Sequence, residues 1–266
     1  MTRLQRVRAV GPILLAAGLF LALTSVALAQ RGFGFNAAAR TGNPRYDGRF
    51  MFARLKYNCF GNCYYYYGQP SWAHGYPSAE ENLMKIMDAL TALHPHLEDS
   101  QAIAIDDPNL GKFPVAFMVE PSFWLTTDKA AAILGEYLKK GGFLIFDDFR
   151  NDFRRGSGGL ANLEANLTRA IPGARLVQMN PTDQIFHVFF DINNFNIFPQ
   201  YYDQGAPVIL GLYEDNDPKK RLMAIINFNT DVSNFWEFSA RGFAPVDSTN
   251  QAYKLGVNYI IYGLTH

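Results

Sequence analysis

Residues 141–150 read GGFLIFDDFR, and this stretch decides the fold. A glycine pair ends a predicted helix, four apolar residues follow at 143–146, and Asp147 and Asp148 come next. An uninterrupted apolar run with these boundaries is typical of a strand buried on both faces of a parallel sheet. Ligands of open α/β sheets bind beyond the carboxyl ends of such strands. The two aspartates are therefore predicted to lie at a ligand-binding edge.

Strand and helix patterns alternate on both sides of this stretch. Further apolar runs predict strands at residues 50–57, 102–105, 115–119 and 175–179. Apolar residues at helical spacing predict helices that begin at Ser78, after Thr126 and near Leu160. Because such alternation favours right-handed crossovers, the predicted fold is α/β, with a doubly wound, flavodoxin-like, mostly parallel sheet and helices on both faces.

The pattern changes after residue 181. Residues 208–213 and 222–228 are predicted to form a hairpin, and residues 252–264 form a predicted final helix. We expect both to pack on the same sheet, so that residues 48–266 make a single domain.

The first 29 residues are predicted to be a cleaved signal peptide. Arg3, Arg6 and Arg8 precede an apolar run at 10–26, and Ala-Leu-Ala at 27–29 is a small-x-small cleavage site. The apolar run is short and contains glycine and proline, so no membrane span is expected after cleavage. The protein is therefore predicted to be periplasmic or secreted.

Charge argues against a nucleic-acid partner. The chain has 24 basic and 24 acidic residues, and loss of the three arginines of the signal peptide leaves the acidic residues in excess. A mature chain with this charge balance has no basic surface of the kind that binds DNA, RNA or an anionic membrane.

Residues 30–47, rich in Gly, Ala, Asn and Arg, are predicted to be a flexible leader.

Cys59 and Cys63, the only two cysteines, lie four residues apart. In an oxidising compartment this spacing favours a local disulfide. A metal pair or a redox site is the alternative. A metal pair would require further cysteine or histidine ligands at suitable spacing, and a redox site more typically has two intervening residues.

Five acidic residues follow the ends of three predicted parallel strands: Asp106, Asp107, Glu120, Asp147 and Asp148. We expect them to share one edge of the sheet and, together with His187, to be the candidate catalytic residues. The same oxygen-rich set, with Asp147, Asp148 and His187 as ligands, suggests Mg²⁺, Ca²⁺ or Mn²⁺ as a cofactor, or an acid/base pair.

A structural role is the alternative for these residues. Aspartates cap backbone amides in turns, and carboxylates pair with basic neighbours such as Arg54, Lys56 or Arg150. His187 stands between apolar residues, which is also typical of a core histidine.

A long aromatic loop at residues 58–77 is the candidate ligand-binding surface. Its candidate contact residues are Tyr64, Tyr65, Trp72, His74 and Tyr76. Aromatic rings stack on sugar rings and anchor protein interfaces, so the predicted partner is a carbohydrate, another small molecule or a protein. The alternative is a satellite core that the disulfide holds in place.

Three arginines follow the central strand: Arg150, Arg154 and Arg155. The last two precede a glycine-rich helix start, where arginines and backbone amides suit a phosphate or carboxylate ligand. A flexible loop is the alternative. The chain has no Walker lysine motif and no G-x-G-x-x-G, so nucleotide binding is not expected.

Several segments resemble an exported bacterial family, the domain of unknown function numbered 4159. They lie between about residues 50 and 266 and read FARLKY, WAHGYPSAEENL, AIDDPNLGKFPVAFMVEP, LTTDKAAAILGEYLKKGGFLIFDDF, QIFHVFF and AYKLGVNYIIYGLTH. The resemblance implies a fold of the class I glutamine amidotransferase-like and trehalose-utilisation (ThuA-like) type, and no established activity. The pattern departs at Gly75, where an acidic residue is expected, and in the insertion at 58–71.

Amidotransferase chemistry needs a cysteine on the turn after a central strand, activated by a histidine and an acid. Here that turn reads Val-Glu-Pro-Ser at 119–122, and both cysteines lie elsewhere. The sequence therefore favours a non-catalytic ligand- or protein-binding domain that lacks the nucleophile. The alternative is a periplasmic hydrolase of carbohydrate or ester bonds that uses the carboxylates, with or without a metal.

Overall fold

The computed structural model describes residues 43–59, 63–66, 68–98, 100–151, 159–195, 206–242 and 244–266. The predicted signal peptide and most of the predicted leader lie outside these ranges. All described residues fall within one compact unit, Thr41–His266.

Apolar runs become strands, and apolar residues at helical spacing become helices. The strands are β1 (Ala53–Lys56), β2 (Tyr65–Tyr66), β3 (Gln69–Pro70), β4 (Gln101–Ala104), β5 (Val115–Val119), β6 (Phe143–Phe149), β7 (Leu176–Gln178), β8 (Val208–Tyr213) and β9 (Leu222–Phe228). The α-helices are α1 (Ser78–Leu90), α2 (Asp128–Lys139), α3 (Gly159–Ala170), α4 (Val232–Glu237) and α5 (Val246–Thr265).

Seven of the strands form one sheet in the order β4-β1-β5-β6-β9-β8-β7. The pairs β4–β1, β1–β5, β5–β6 and β6–β9 are parallel, whereas β9–β8 and β8–β7 are antiparallel. The predicted doubly wound, mostly parallel α/β fold is confirmed. We call the edge of the sheet at which β1, β5, β6 and β9 end the carboxyl edge.

The pairing of the predicted fifth strand is different from the expected one. A strand does form within residues 175–179, but β7 pairs antiparallel with β8 at one side of the sheet. The position next to β6 belongs to β9 instead, because the first six residues of β9 are buried while those of β7 are partly exposed. The predicted hairpin is confirmed, and its second strand completes the parallel part of the sheet.

Two apolar layers cover the sheet. Helices α1, α4 and α5 pack on one face, with Leu83, Trp236 and Leu255 in the core, and helices α2 and α3 pack on the other, with Leu134 and Leu163. Within the described residues, no helix combines the length and apolar character that crossing a membrane requires. The apolar layers cover the two faces of the sheet, and several polar side chains lie at its carboxyl edge.

Candidate functional site

The carboxyl edge brings together acidic residues from three parallel strands. Glu120 follows β5, Asp147 and Asp148 lie near the end of β6, and Asp231 lies just beyond the end of β9. The register is close, since the amide of Glu120 donates to the carbonyl of Asp147 at 3.1 Å. Glu120, Asp147 and Asp148 thus lie at one edge of the sheet, and Asp231 follows β9 at the same edge.

A histidine from the aromatic loop bonds to this edge. His74 Nδ1 and Glu120 Oε1 lie 2.6 Å apart, and His74 Nε2 lies 3.0 Å from the carbonyl oxygen of Gln69. Burial alone would lower the pKa of His74, but the hydrogen bond and charge of Glu120 outweigh it, so this pKa lies above its ordinary value of 6.5. The two side chains are mostly buried and remain 12% and 14% exposed.

The backbone at the strand ends is unusual. Glu120 has φ 47° and Asp148 has φ 57°, both in the left-handed region that residues other than glycine rarely adopt. The Tyr57 hydroxyl donates to the Glu120 carbonyl at 2.8 Å. Burial, then the charges of Glu120 and Asp148, raise the pKa of Tyr57 well above its ordinary value. Left-handed residues held by such contacts are frequent at functional sites.

Asp147 has a structural role at this edge. Its carboxylate is completely buried and accepts from Asn227 Nδ2 at 3.1 Å, from the amide of Val232 at 3.2 Å and from the amide of Ser233 at 2.7 Å. Asp231 caps α4 by accepting from the amide of Asn234 at 2.8 Å. Burial raises the pKa of both aspartates. Together they fix α4 onto the end of β6.

A second ion pair lies behind the first and is completely buried. Arg54 of β1 donates through Nε to Glu80 Oε1 of α1 at 2.6 Å, and neither side chain is exposed. Arg54 Nη1 also donates to the carbonyls of Trp72 and His74, at 3.1 Å and 2.8 Å. Its guanidinium lies 4.8 Å from the ring centre of Phe117, and burial raises the pKa of Glu80. Arg54 thereby anchors the segment that carries His74.

We call β2, β3 and their connection the aromatic hairpin, residues 65–70. Two of its tyrosines face solvent, with Tyr65 62% and Tyr66 51% exposed. The ring of Tyr66 lies 6.0 Å from the ring of His74, and that of Tyr64 lies 5.7 Å from it. The Tyr64 ring also stacks on Phe123 at 6.2 Å. A disulfide joins Cys59 to Cys63 immediately before the hairpin, as the cysteine spacing predicted.

The other two aromatic candidates support this surface from below. Trp72 is partly buried, and the ammonium of Lys56 lies 6.0 Å from its ring centre. The Tyr76 hydroxyl donates to the carbonyl of Ser100 at 2.9 Å. Neither ring stands free in solvent as Tyr65 does, so both belong to the base of the loop.

A further carboxylate comes from α4. Burial, then the charge of Asp231, raises the pKa of Glu237 to about 7. Glu237 lies directly beside Gly75, since a Cβ built on that glycine would stand 2.9 Å from Glu237 Oε2. Glu237 therefore brings a carboxyl group close to the loop position at which the family resemblance leads us to expect an acid.

Other predicted residues have partners of their own. Asp106 bonds to Lys129 at 3.1 Å, and Asp107 accepts from the amide of Asn109 at 2.8 Å. His187 bonds to Asp191 at 3.0 Å and to the carbonyl of Pro181 at 2.7 Å. These contacts link none of the three to the His74–Glu120 pair.

The remaining candidates concern the arginines and the metal. The carbonyl of Arg150 accepts from Ser122 Oγ at 3.3 Å at the carboxyl edge. Arg154 and Arg155 lie outside the described residues. Across the part of the chain that the structure describes, no three or more His, Cys, Asp or Glu side chains are grouped so that they could hold a metal ion. The candidate ligands Asp147, Asp148 and His187 do not form such a group.

Sequence reasoning missed three contributors to this site: Asp231, Glu237 and the Arg54–Glu80 pair. Asp231 stands after an apolar strand, as Asp147 does, so the same rule applied to β9 would have found it. Glu237 had no such signal, because its proximity to the loop depends on how α4 packs.

Comparison with known proteins gives a family. Residues 51–264 match the model of a family described as Domain of unknown function (DUF4159), which covers most of the chain. No match was found among curated proteins. The chain belongs to this family of unknown function.

Proposed function

We propose that this member of the family is a non-catalytic domain that binds carbohydrate at the carboxyl edge of its sheet. The supporting observation is the exposed ring of Tyr66, which lies 6.0 Å from the ring of His74 in the hydrogen-bonded His74–Glu120 pair, with the exposed Tyr65 next to it in the chain. A sugar ring presents an apolar face that stacks on aromatic rings, and hydroxyls that need hydrogen-bond partners. The aromatic hairpin and the pair offer these two kinds of contact side by side.

The chemistry of the edge supports binding over catalysis. Both cysteines are held in the disulfide, so the chain has no thiol nucleophile of the amidotransferase type. Asp147 is occupied by Asn227 and by two backbone amides, and Asp106 by a lysine. Carboxylates bonded in this way hold the fold together and are poorly placed to transfer protons to a ligand.

Export belongs to the same proposal. The predicted signal peptide and the disulfide, which is typical of oxidising compartments, support a periplasmic or secreted location. In that location the partner is a carbohydrate of the cell envelope or of the surroundings.

Titration calorimetry on the purified chain tests the proposal. The probes are soluble hexasaccharides of glucose, mannose, xylose, N-acetylglucosamine and galacturonic acid. We expect at least one of them to bind, and Tyr65→Ala and Tyr66→Ala each to weaken the binding by about fivefold, since a lost aromatic stack is worth about 1 kcal/mol.

Tyr46→Ala is the matched control. Tyr46 is 40% exposed and its ring packs on Phe113, which precedes β5 and so lies away from the carboxyl edge. This variant is expected to bind as the parent does. No binding across the panel, or equal losses in all three variants, would contradict the proposal.

A hydrolase is the second candidate, and Glu237 is the observation that favours it. A carboxyl with a pKa of about 7 is about half protonated at neutral pH and can act as a general acid, while Glu120 lies at the same edge as a possible base. The test is to incubate the chain with the same hexasaccharides and with nitrophenyl esters. If products form and the Glu237→Gln variant forms none, hydrolysis would replace non-catalytic binding as the proposed function.

A further inference from the structure

Helices α1 and α5 line a groove that shares no residue with the proposed carbohydrate site. The groove encloses about 400 Å³ and is lined by Ile86 and Leu90 of α1, by Phe190 and by the first turns of α5. The backbone of Phe190 is fixed, because its amide donates to Asn258 Oδ1 and its carbonyl accepts from Asn258 Nδ2, both at 2.8 Å. The groove is therefore a formed surface of the fold.

Exposed apolar side chains are concentrated around this groove. Leu90 lines it, the ring of Phe189 lies 4.9 Å from that of Phe190, and Val246 directly precedes the lining residue Asp247. Leu90, Phe189 and Val246 are all exposed, and the other exposed large apolar side chains of the described residues are tyrosines. Aliphatic and phenylalanine side chains grouped in this way at a surface are typical of a protein interface.

Two charged side chains lie at the groove without an ion pair. Asp247 and Lys254 both line it, and neither pairs with an opposite charge among the described residues. The two are seven residues apart, or about two helical turns, so they lie on the same side of α5. A partner matches this surface if it presents a positive charge to Asp247 and a negative charge to Lys254.

A second copy of the same helix meets this requirement when it runs antiparallel. A two-fold axis between Asn250 and Gln251 brings Asp247 opposite the partner's Lys254, and Lys254 opposite the partner's Asp247. Gln251 lines the groove, is 4% exposed and has no hydrogen bond to a described residue, so its amide can bond to the partner's Asn250. A parallel copy would instead bring like charges together.

We propose that this groove is the interface of a two-fold symmetric dimer, in which α5 of one chain lies antiparallel to α5 of the other and each Asp247 pairs with the partner's Lys254. The exposed apolar side chains around the groove are then buried between the two chains. The proposal goes beyond carbohydrate binding and does not depend on it.

Charge reversal tests this arrangement without any ligand. Sedimentation equilibrium over a series of concentrations should show that the parent chain dimerises. Asp247→Lys and Lys254→Asp should each raise the dimer dissociation constant by at least about tenfold, because each variant brings like charges together at two symmetry-related positions. An equimolar mixture of the two variants should associate as the parent does, since every pair in the mixed dimer again joins opposite charges.

Glu164→Lys and Lys139→Asp are the matched controls, because both residues are exposed on α3 and α2, the helices of the other face of the sheet. Both should leave the dissociation constant unchanged. Asp247 lies in the first turn of α5, where the helix dipole favours a negative charge. Lys254→Asp lies further along the helix and keeps the proposal testable if Asp247→Lys folds poorly.

Three outcomes would count against the proposal. A parent chain that stays monomeric at every concentration would overturn it and leave the groove to a different kind of partner. Reversal variants that dimerise as tightly as the parent would also overturn it. If both variants are weakened and their mixture does not recover, the antiparallel pairing is wrong. None of these results bears on the carbohydrate proposal, which the calorimetry tests separately.

Discussion

The ion pairs Arg54–Glu80 and His74–Glu120 lie close together and have the same length, but they differ in burial. Arg54–Glu80 and His74–Glu120 both join at 2.6 Å. The first is completely buried, whereas the side chains of the second are partly exposed. Arg54 also donates to the carbonyl of His74, so the buried pair supports the segment that carries the exposed one.

The difference in burial suggests that the Arg54–Glu80 pair stabilises the fold and that the His74–Glu120 pair contacts the ligand. A buried pair whose partner is removed leaves an uncompensated charge in the core, so its two members depend on each other for stability. The His74–Glu120 pair keeps some solvent contact, so breaking it is expected to cost less stability. Its polar groups can therefore contact a ligand at little cost to the fold. In this molecule stability depends on Glu80, and the proposed recognition depends on Glu120.

The largest effect is expected for Glu80→Ala, which breaks the buried pair. Arg54 would remain in the core without its carboxylate, and we expect the free energy of unfolding to fall by about 3–5 kcal/mol. Urea unfolding followed by circular dichroism measures this. Asp106→Ala, which breaks the exposed pair with Lys129, is the control and should cost less than about 1 kcal/mol. Equal losses in the two variants would remove the distinction drawn above.

Cys63→Ser tests whether the hairpin has an anchor independent of Arg54. Opening the loop between Cys59 and Cys63 is expected to lower the free energy of unfolding by about 2 kcal/mol, because the unfolded chain gains freedom. Affinity for sugar should fall as well, since the tyrosines follow the disulfide directly. Thermal unfolding under oxidising conditions gives the first quantity and calorimetry the second. A variant with unchanged affinity would show that contacts other than the disulfide, such as those of Ser71 with the Tyr64 backbone, position the hairpin.

The pH dependence of stability tests the raised pKa values of Glu237 and His74. The pKa of Glu237 is about 7 in the folded chain and near 4.5 when the group is unperturbed. Between these values the folded state keeps a proton that the unfolded state has lost, so stability falls as pH rises. His74 acts in the same direction, because its raised pKa gives stability that is lost as pH rises through that pKa.

Urea unfolding at about pH 5 and about pH 8 measures this slope. Glu237→Gln should reduce the fall by about 1 kcal/mol, since partial exposure screens the full effect of the shift. Asp106→Asn should leave the slope as it is in the parent chain. Stability that is constant or rises over this interval would show that Glu237 is not protonated in the folded state.

His74→Gln is expected to have the smallest effect on stability, below about 1 kcal/mol, because the pair it breaks is near the surface. It should nevertheless lower the affinity for sugar several-fold, because the variant loses the bond between His74 Nδ1 and Glu120 Oε1 that orients the carboxylate. Comparing unfolding with calorimetry on this one variant therefore separates the two roles. If His74→Gln lowered the free energy of unfolding as much as Glu80→Ala does, the role of His74 would be to stabilise the fold and not to bind the ligand.

The strand pattern predicted the parallel strands β1, β4, β5 and β6 but not the arrangement of β9, β8 and β7. The apolar run of β6 is buried on both faces, so length and composition sufficed to place it. The run at 222–228 reads just as apolar, and local pattern cannot tell that β9 adds parallel to β6 while β8 and β7 follow it. That choice is made by the packing of the whole hairpin.

The site was predictable in parts. His74 and Glu120 both carried a signal, one as a loop aromatic and the other as an acid at a strand end. Their bond depends on the path of the chain between Lys56 and Ser78, which no periodicity records. Asp147 was expected at the site and is there, but its partners are amides of α4 that lie far along the chain.

The aromatic hairpin contributes no strand to the seven-stranded sheet, and β2 pairs with β3 alone. Residues between Tyr64 and Gln69 can thus change in identity, and to some extent in number, without disturbing the layers beneath. Relatives that share this scaffold are free to diverge in sequence here while keeping the same interior. For protein engineering, the hairpin is the natural place to graft a new specificity onto an unchanged frame.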